Sequence, residues 1–451
     1  MIPPPGAGAI PRLEGVAAVP RLALVPWAAL APLAPALDAP LAEVLSGAAA
    51  ERVLDRFLRA HRGLQREGRA AAAEAIFGVG LWRRRLAWHL GDDAGDPSGR
   101  PPRALLGALL RDLAGLAHAD AEWLAGVRLP PPRDGVPAAL ALHFSLPDWL
   151  ADELVRALGS EADEADALAA ALSTPGPVFL RANEARLPRA ELAARLSAEG
   201  IPTRPCRFAP AGLEVTIPRA NLLGSASFRE GLCEVQDEGS QLAGALAAPF
   251  VPARAADATS ASTPEVLDLC AGRGGKSLQL AALGAHVHAC DADAGRLARL
   301  RDRSARAGAR VVVHGAHPPD DLRVDSALVD APCSELGPLR RGPDQRFRLD
   351  PAAFAALPPL QLELLARAAR HVRPGGRLVY VTCTLRREED EAVAEAFENL
   401  HPEYERVPAP APAAFVGGDG FFRAWPHRHG TDGFFGAVWR RSRGAGDQRG
   451  A

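Results

Sequence analysis

From Glu265 onward, short apolar runs alternate with segments of helical spacing, and no other feature constrains the chain as strongly. The runs fall at residues 265–269, 286–290, 309–314, 326–330 and 377–382, with helices expected over 277–283, 297–307 and 354–371. Pro374-Gly375-Gly376 is expected to end the last helix. Parallel strands need a long crossover, usually a helix, so this spacing predicts a doubly wound, mostly parallel α/β sheet. Residues 430–440 read as its closing strand. Sheets of this kind gather ligands outside the carboxyl ends of their strands. Three such ends carry chemistry here: the turn DLCAGRGGK at 268–276, DAPC at 330–333 and VTC at 381–383.

The segments ahead of the sheet have a different rhythm. Val53, Leu54, Phe57 and Leu58 recur at helical spacing, as do Ile76, Phe77, Leu81 and Trp82, then Leu105, Leu109 and Leu113. These predict an all-helical domain over 46–140, with a loop at 91–102. A small α/β module follows over 146–245: a helix at 148–158, a strand at 175–183, a helix at 187–200 capped by Gly200, and an edge strand at 213–217. The sheet domain is expected over 246–445. Residues 1–45 read as a disordered leader, because Pro26, Pro32, Pro35 and Pro40 interrupt its apolar stretch.

The 451 residues are 48% hydrophobic and 24% charged, with a net charge of -2, and no uninterrupted apolar run reaches the ~18 residues of a membrane span. The six cysteines form no close pairs, which argues against a disulfide scaffold or zinc ribbon and for reduced thiols in the cytoplasm. Lys276 is the only lysine against 51 arginines, and it stands inside the glycine-rich turn, where a compact ammonium differs from a planar guanidinium. Residues 51–112 hold 12 arginines against 8 acids, a basic surface able to meet phosphates or simply to be solvated.

A glycine-rich turn between strand and helix lets a ligand approach the backbone and the helix N-terminus. By itself DLCAGRGGKS fits an empty tight turn equally well. Cys290-Asp291, about twenty residues on, places an acid where ribose hydroxyls are held, so an adenosine-containing cofactor is expected. Cys333 and Cys383 each read individually as small buried hydrophobes. Two thiols at strand ends above one such loop instead suggest sulfur chemistry on a substrate.

Taken in order, CEVQDEGSQ, DLCAGRGGKS, CDADAGRL, DAPCSELGPLRRGPD, PGGRLVYVTCT with REED, and HRHGTDGFF resemble the Sun/Nop family of RNA cytosine-5 methyltransferases, in its bacterial ribosomal RNA branch. The resemblance runs from about residue 146 to the C-terminus, and residues 48–90 look like that family's helical RNA-binding extension. It implies a Rossmann-like methyltransferase sheet, S-adenosylmethionine as cofactor and RNA as partner; from the residues, neither a metal nor a membrane is expected. It also implies that Cys383 attacks carbon 6 of cytosine, Cys333 assists release and Asp330 engages ring nitrogen 3. Cys383 should then have a lowered pKa. DNA cytosine-5 methyltransferases use the Pro-Cys thiol, which would exchange the roles of Cys333 and Cys383. The implied cofactor site is Cys270, Ala271, Gly272, Arg273, Gly274, Gly275, Lys276, Asp291, Ala316 and Asp330.

Three positions depart from the family pattern. Arg273 stands for a proline, Thr384 for a serine, and Ala316 for the acid that faces adenine, so weakened cofactor binding is expected. Asp320 or Asp321 could substitute. A catalytically silent ribosome-assembly factor, a transfer RNA methyltransferase and a small-molecule methyltransferase are the competing functions. Arg340, Arg341, Arg346 and Arg348 form a loop that either contacts RNA phosphate or is merely solvated. His427 and His429 read as a polar turn rather than as metal ligands.

Overall fold

The computed structural model describes residues 19–116, 129–131, 133, 137–217, 220–248 and 263–443. The chain divides into two compact units, one running to Thr174 and including Leu339–Asp350, the other formed by Pro175–Pro338 and the chain from Pro351 on.

The first unit is helical. Helices Ala50–Ala60, Arg66–His89 and Pro102–Ala108 turn an apolar face inward, and Val53, Phe57, Ile76, Val79, Leu86, Leu105 and Leu109 form one core. Residues 19–45 join that core, which corrects the expectation of a disordered leader. Trp27–Leu37 forms a 3-10 helix that accommodates Pro32 and Pro35, and Asp38–Leu45 continues it as an α-helix. Residues 27–45 are apolar and long enough to cross a membrane by length and composition, at mean hydropathy 1.3. Trp27, Leu30, Leu37, Leu41 and Val44 are nevertheless buried against the neighbouring helices. Residues 1–18, also part of the expected leader, lie outside the described residues.

The Arg-rich loop belongs to this unit too, and two of its arginines, Arg340 and Arg346, are buried, which corrects the expectation of a solvated or phosphate-facing loop for both. Arg346 is fully buried and donates to Leu172 O at 2.7 Å and Ser173 Oγ at 3.2 Å. Arg348 pairs with Asp344, whose carboxylate also accepts from Ala50 N at 3.0 Å. A solvated or phosphate-facing loop is therefore the wrong description of Arg346. Arg83 is likewise turned inward, donating to Val44 O and to Gly80 O, so it leaves the expected basic surface. Arg52, Arg56, Arg59, Arg62, Arg66 and Arg69 are exposed.

The second unit holds two sheets. In the first, β1 (Val178–Ala182), β2 (Thr203–Pro205), β3 (Gly212–Val215) and β4 (Cys233–Val235) pair antiparallel in the order β2-β3-β1-β4. The segment expected as an edge strand, β3, is thus an inner one. The expectation missed the short β2 and β4, each of three residues, because runs that brief carry little periodicity.

The larger sheet is built from β5 (Glu265–Asp268), β6 (His286–Ala289), β7 (Val311–Val313), β8 (Val324–Asp330), β9 (Val372–Thr382), β10 (Tyr404–Arg406), β11 (Phe422–Ala424) and β12 (Phe434–Arg441). Its order is β10-β12-β9-β8-β5-β6-β7, with β11 also on β12. The five strands from β5 to β9 are mutually parallel, and β12 runs antiparallel to β9. Pro374-Gly375-Gly376 does not end a helix. It lies within β9, where the pairing with β8 shifts register, and the helix before it closes at Ala369. The chain goes outward from β5 through β6 to β7, then returns to place β8 on the other side of β5. That reversal puts the switch point, and hence the crevice, at the carboxyl ends of β5 and β8.

Candidate active site

The turn after β5 is shaped by glycine. Gly272 and Gly274 take φ of +55° and +85°, a region that favours glycine. Gly274 caps helix Gly275–Ala282, and a Cβ on it would meet Leu300 Cγ at 2.8 Å. A Cβ at Gly272 or Gly275 would meet nothing within 4 Å, so the loop presents open backbone to the crevice. Asp291 ties the loop down, accepting from Gly272 N and Asp293 N at 2.8 Å each. Beneath it, Asp268 takes a hydrogen bond from Ser277 Oγ at 2.6 Å on one oxygen, while the other is buried with no partner. Burial pushes the Asp268 carboxyl up to about 7.

These features fit an adenosine-bearing cofactor: bare glycine backbone, a helix N-terminus, an acid at the end of β6 and an unsatisfied buried oxygen below the loop. Cys270 and Ala271 sit at the base of the turn, Cys270 being pushed strongly up by burial and therefore a neutral thiol. Arg273 offers its carbonyl to Arg303 at 2.6 Å. Ala316 is exposed in the turn after β7, and Asp320 and Asp321 are exposed farther along the same connection.

Lys276 reaches from the helix start to Asp330 at the end of β8, Nζ to Oδ2 at 2.7 Å. Burial alone would lower the lysine, but the Asp330 charge and hydrogen bond, with the Cys383 sulfur behind them, carry it above its ordinary value. The one lysine thus links the glycine-rich loop to the end of β8. Arginine's planar, longer head would not fill that bridge as a point charge.

The ends of β8 and β9 are paired, with Ala331 N donating to Val381 O at 2.9 Å. This register brings Cys333 Sγ to 3.3 Å from Cys383 Sγ, and Cys383 N donates to Cys333 Sγ at 3.4 Å. Both thiols are half-buried. Cys333 is pushed well above its ordinary value, first by its hydrogen bond to the Cys383 sulfur and then by burial. Cys333 is therefore kept a neutral thiol beside the Cys383 sulfur, and either sulfur can donate in the contact between them.

A frame behind the thiols escaped the sequence reading. Glu389 is fully buried; its Oε2 accepts from Ser334 N at 2.9 Å and Gln361 Nε2 at 3.1 Å, its Oε1 from Arg386 at 3.2 Å. Gln361 also donates to Pro332 O at 2.9 Å, and Ser334 Oγ lies 2.7 Å from Thr384 Oγ1. Thr384 therefore keeps the hydroxyl that a serine would supply. Gly337 N donates to Cys383 O at 3.0 Å, and a Cβ on Gly337 would collide with Gly433 O at 2.1 Å. The DAPCSELGP, VTCT, REED and GTDGFF motifs carry most of these residues, and none of them discloses what it touches. His427 and His429 lie apart: His429 Nδ1 accepts from Trp425 N at 2.8 Å and its Nε2 faces Ala414 O at 3.0 Å, which leaves it no lone pair for a metal.

A doubly wound sheet with this loop and these strand ends defines an S-adenosylmethionine-dependent methyltransferase. Residues 259–440 match the family described as 16S rRNA methyltransferase RsmB/F, and residues 146–220 match the ferredoxin-like domain of RsmF/B-like methyltransferases. Ribosomal RNA small subunit methyltransferase B of Thermus thermophilus is 32% identical over 436 residues, covering 89% of this chain and 96% of that protein. A putative methyltransferase of Mycobacterium tuberculosis is 36% identical over 342 residues, covering 74% of this chain and 71% of its own length. The solved structure of PH0851 superposes with a TM-score of 0.67 at 24% identity, over 94% of this chain and 99% of that one, and shares the fold. The chain belongs to the RsmB/F family of 16S rRNA methyltransferases. It is an RNA methyltransferase whose cofactor is S-adenosylmethionine.

Proposed function

We propose that the chain methylates carbon 5 of a cytosine in small-subunit ribosomal RNA, with Cys383 as the nucleophile. The observation that carries this reading is the sulfur pair, 3.3 Å apart at the ends of β8 and β9, with Cys333 held as the protonated partner. Carbon 5 of cytosine is a poor nucleophile until a thiolate adds to carbon 6 and makes the ring enamine-like. When bound, S-adenosylmethionine supplies an electrophilic methyl group.

Cys383 forms the sulfur–carbon 6 bond while the ring's displaced electron pair moves toward nitrogen 3. Asp330 faces that nitrogen, and the Lys276 ammonium, hydrogen-bonded to Asp330, supplies the proton that Asp330 passes to it. Once carbon 5 carries the methyl group, its proton passes to solvent and nitrogen 3 returns its proton through Asp330, so the electron pair re-enters the ring and Cys383 leaves as thiolate. Cys333 assists this release from 3.3 Å. The loop residues Cys270 to Lys276, with Asp291, hold the cofactor, and Ala316 leaves its adenine side without an acid. The base must leave any stacked context to reach the thiols. The exposed arginines from Arg52 to Arg69 meet RNA phosphate.

The test is methyl transfer from labelled cofactor to unmodified small-subunit RNA, followed by digestion to nucleosides. Label in 5-methylcytidine is expected. Label in another nucleoside, or none in the presence of bound cofactor, would overturn the reading.

A further inference from the structure

At the opposite side of the same sheet from the thiols, four titratable side chains meet that the methyl transfer does not use. Glu265 opens β5, and its register partner on β6 is His286. His288 follows two residues on, so both rings project from the same face as Glu265. The His286 Nδ1 and His288 Nε2 atoms converge on one carboxylate oxygen, Glu265 Oε2, at 3.0 and 2.7 Å. The three donor atoms lie within 4.8 Å of one another. On its other side, His288 Nδ1 is 3.0 Å from His314 Nε2, just past β7.

The surroundings keep this cluster within reach of solvent. Residues 314–323, which connect β7 to β8, carry no helix. Helix Leu357–Ala369 packs on β8 and β9, closer to the thiols. Glu265 and His286 side chains accordingly stay 30% and 35% exposed, while His288 is held at 13%.

We propose that Glu265, His286 and His288 bind one divalent transition ion of the zinc class. Two imidazoles and one carboxylate are a borderline-hard donor set that suits zinc or cobalt, and three protein ligands leave a position facing solvent. Ligand atoms around a tetrahedral zinc stand about 3.4 Å apart, so the 2.7 and 3.0 Å contacts must open, and the two ring nitrogens, within 4.8 Å of each other, must settle to that spacing by ring rotation. Binding through His288 Nε2 requires its proton to sit on Nδ1, where His314 Nε2 is placed to accept it. His314 is thus a positioning residue that fixes the tautomer of a ligand, the role outer partners of metal-bound histidines commonly take. The site lies away from the thiols and is independent of the reading given above.

The test uses the untagged full-length chain, stripped with chelator and titrated with Co²⁺, then with Zn²⁺ as competitor. One equivalent of Co²⁺ should bind with visible ligand-field absorption and no intense thiolate charge-transfer band, and Zn²⁺ should raise the melting temperature. Glu265→Gln and the double variant His286→Gln/His288→Gln should abolish both responses while the far-ultraviolet dichroism stays unchanged. His314→Phe should weaken binding about ten- to hundredfold. Cys333→Ser/Cys383→Ser should keep the spectrum. A spectrum lost with the cysteines, or one that survives the double histidine variant, would overturn the proposal, as would the absence of any Co²⁺ binding to the wild-type chain.

Discussion

The two sides of the parallel sheet are built on opposite terms. At β8 and β9, the charged groups behind the thiols are tied to partners: Glu389 to Ser334, Gln361 and Arg386, and Lys276 to Asp330, while Gln361 Oε1 is buried with no partner among the described residues. At β6 and β7, the polar groups gather on an open face with no helix over the next connection, and the acid expected after β7 is Ala316. On the proposed function, the ties on the first side hold a reacting sulfur within a fraction of an ångström of its target. The second carries the Glu265, His286 and His288 cluster on side chains that stay partly exposed. The contrast teaches that one sheet can be fixed at its catalytic half and permissive at the other.

The sharpest way to break this contrast is Glu389→Ala. It leaves Arg386 facing a void and frees both loops, so a loss of about 3–5 kcal/mol in urea unfolding is expected, together with loss of methyl transfer. Glu389→Gln, which keeps the shape, should cost visibly less. Next in size is Lys276→Met, which deprives Asp330 of its partner. A fall of about a hundredfold in kcat is expected, with cofactor affinity, measured by calorimetry, changing far less. Lys276→Arg should not restore the rate.

Asp268, on the central strand, sharpens the comparison through pH. Its folded value of about 7 stands above the ordinary 3.8, so between these values the folded chain holds a proton that the unfolded chain releases. Stability attributable to this group is therefore greatest at the acid end and declines as pH rises toward about 7. Asp268→Asn should flatten that decline in denaturation curves taken across the window. The smallest effect is expected on the permissive side: Ala316→Asp should tighten S-adenosylmethionine by about three- to tenfold in calorimetry, with kcat unchanged.

What could be read from the sequence follows the same division. The parallel strands were legible because each is a run of apolar residues bounded by glycine or a polar turn. The thiols, Asp330 and Lys276 were legible because short motifs fix them at strand ends. Glu389, Gln361 and Gly337 were not, since their role depends on contacts between segments 28 or more residues apart, for which no local pattern exists. The burial of Arg346 was hidden for a similar reason: an arginine in a Pro/Gly-rich loop looks solvated until the carbonyl it reaches is known. Residues 19–45 misled through their prolines, which a 3-10 helix tolerates where an α-helix would break.

The central claim is that the two sulfurs, although 3.3 Å apart, have different tasks. It is tested most directly by incubating each alanine variant with cofactor and unmodified small-subunit RNA, then resolving protein under denaturing conditions. Cys333→Ala should accumulate a stable covalent RNA–protein species, and Cys383→Ala should give neither adduct nor methylated RNA. An adduct that persists in Cys383→Ala and is absent from Cys333→Ala would contradict the account.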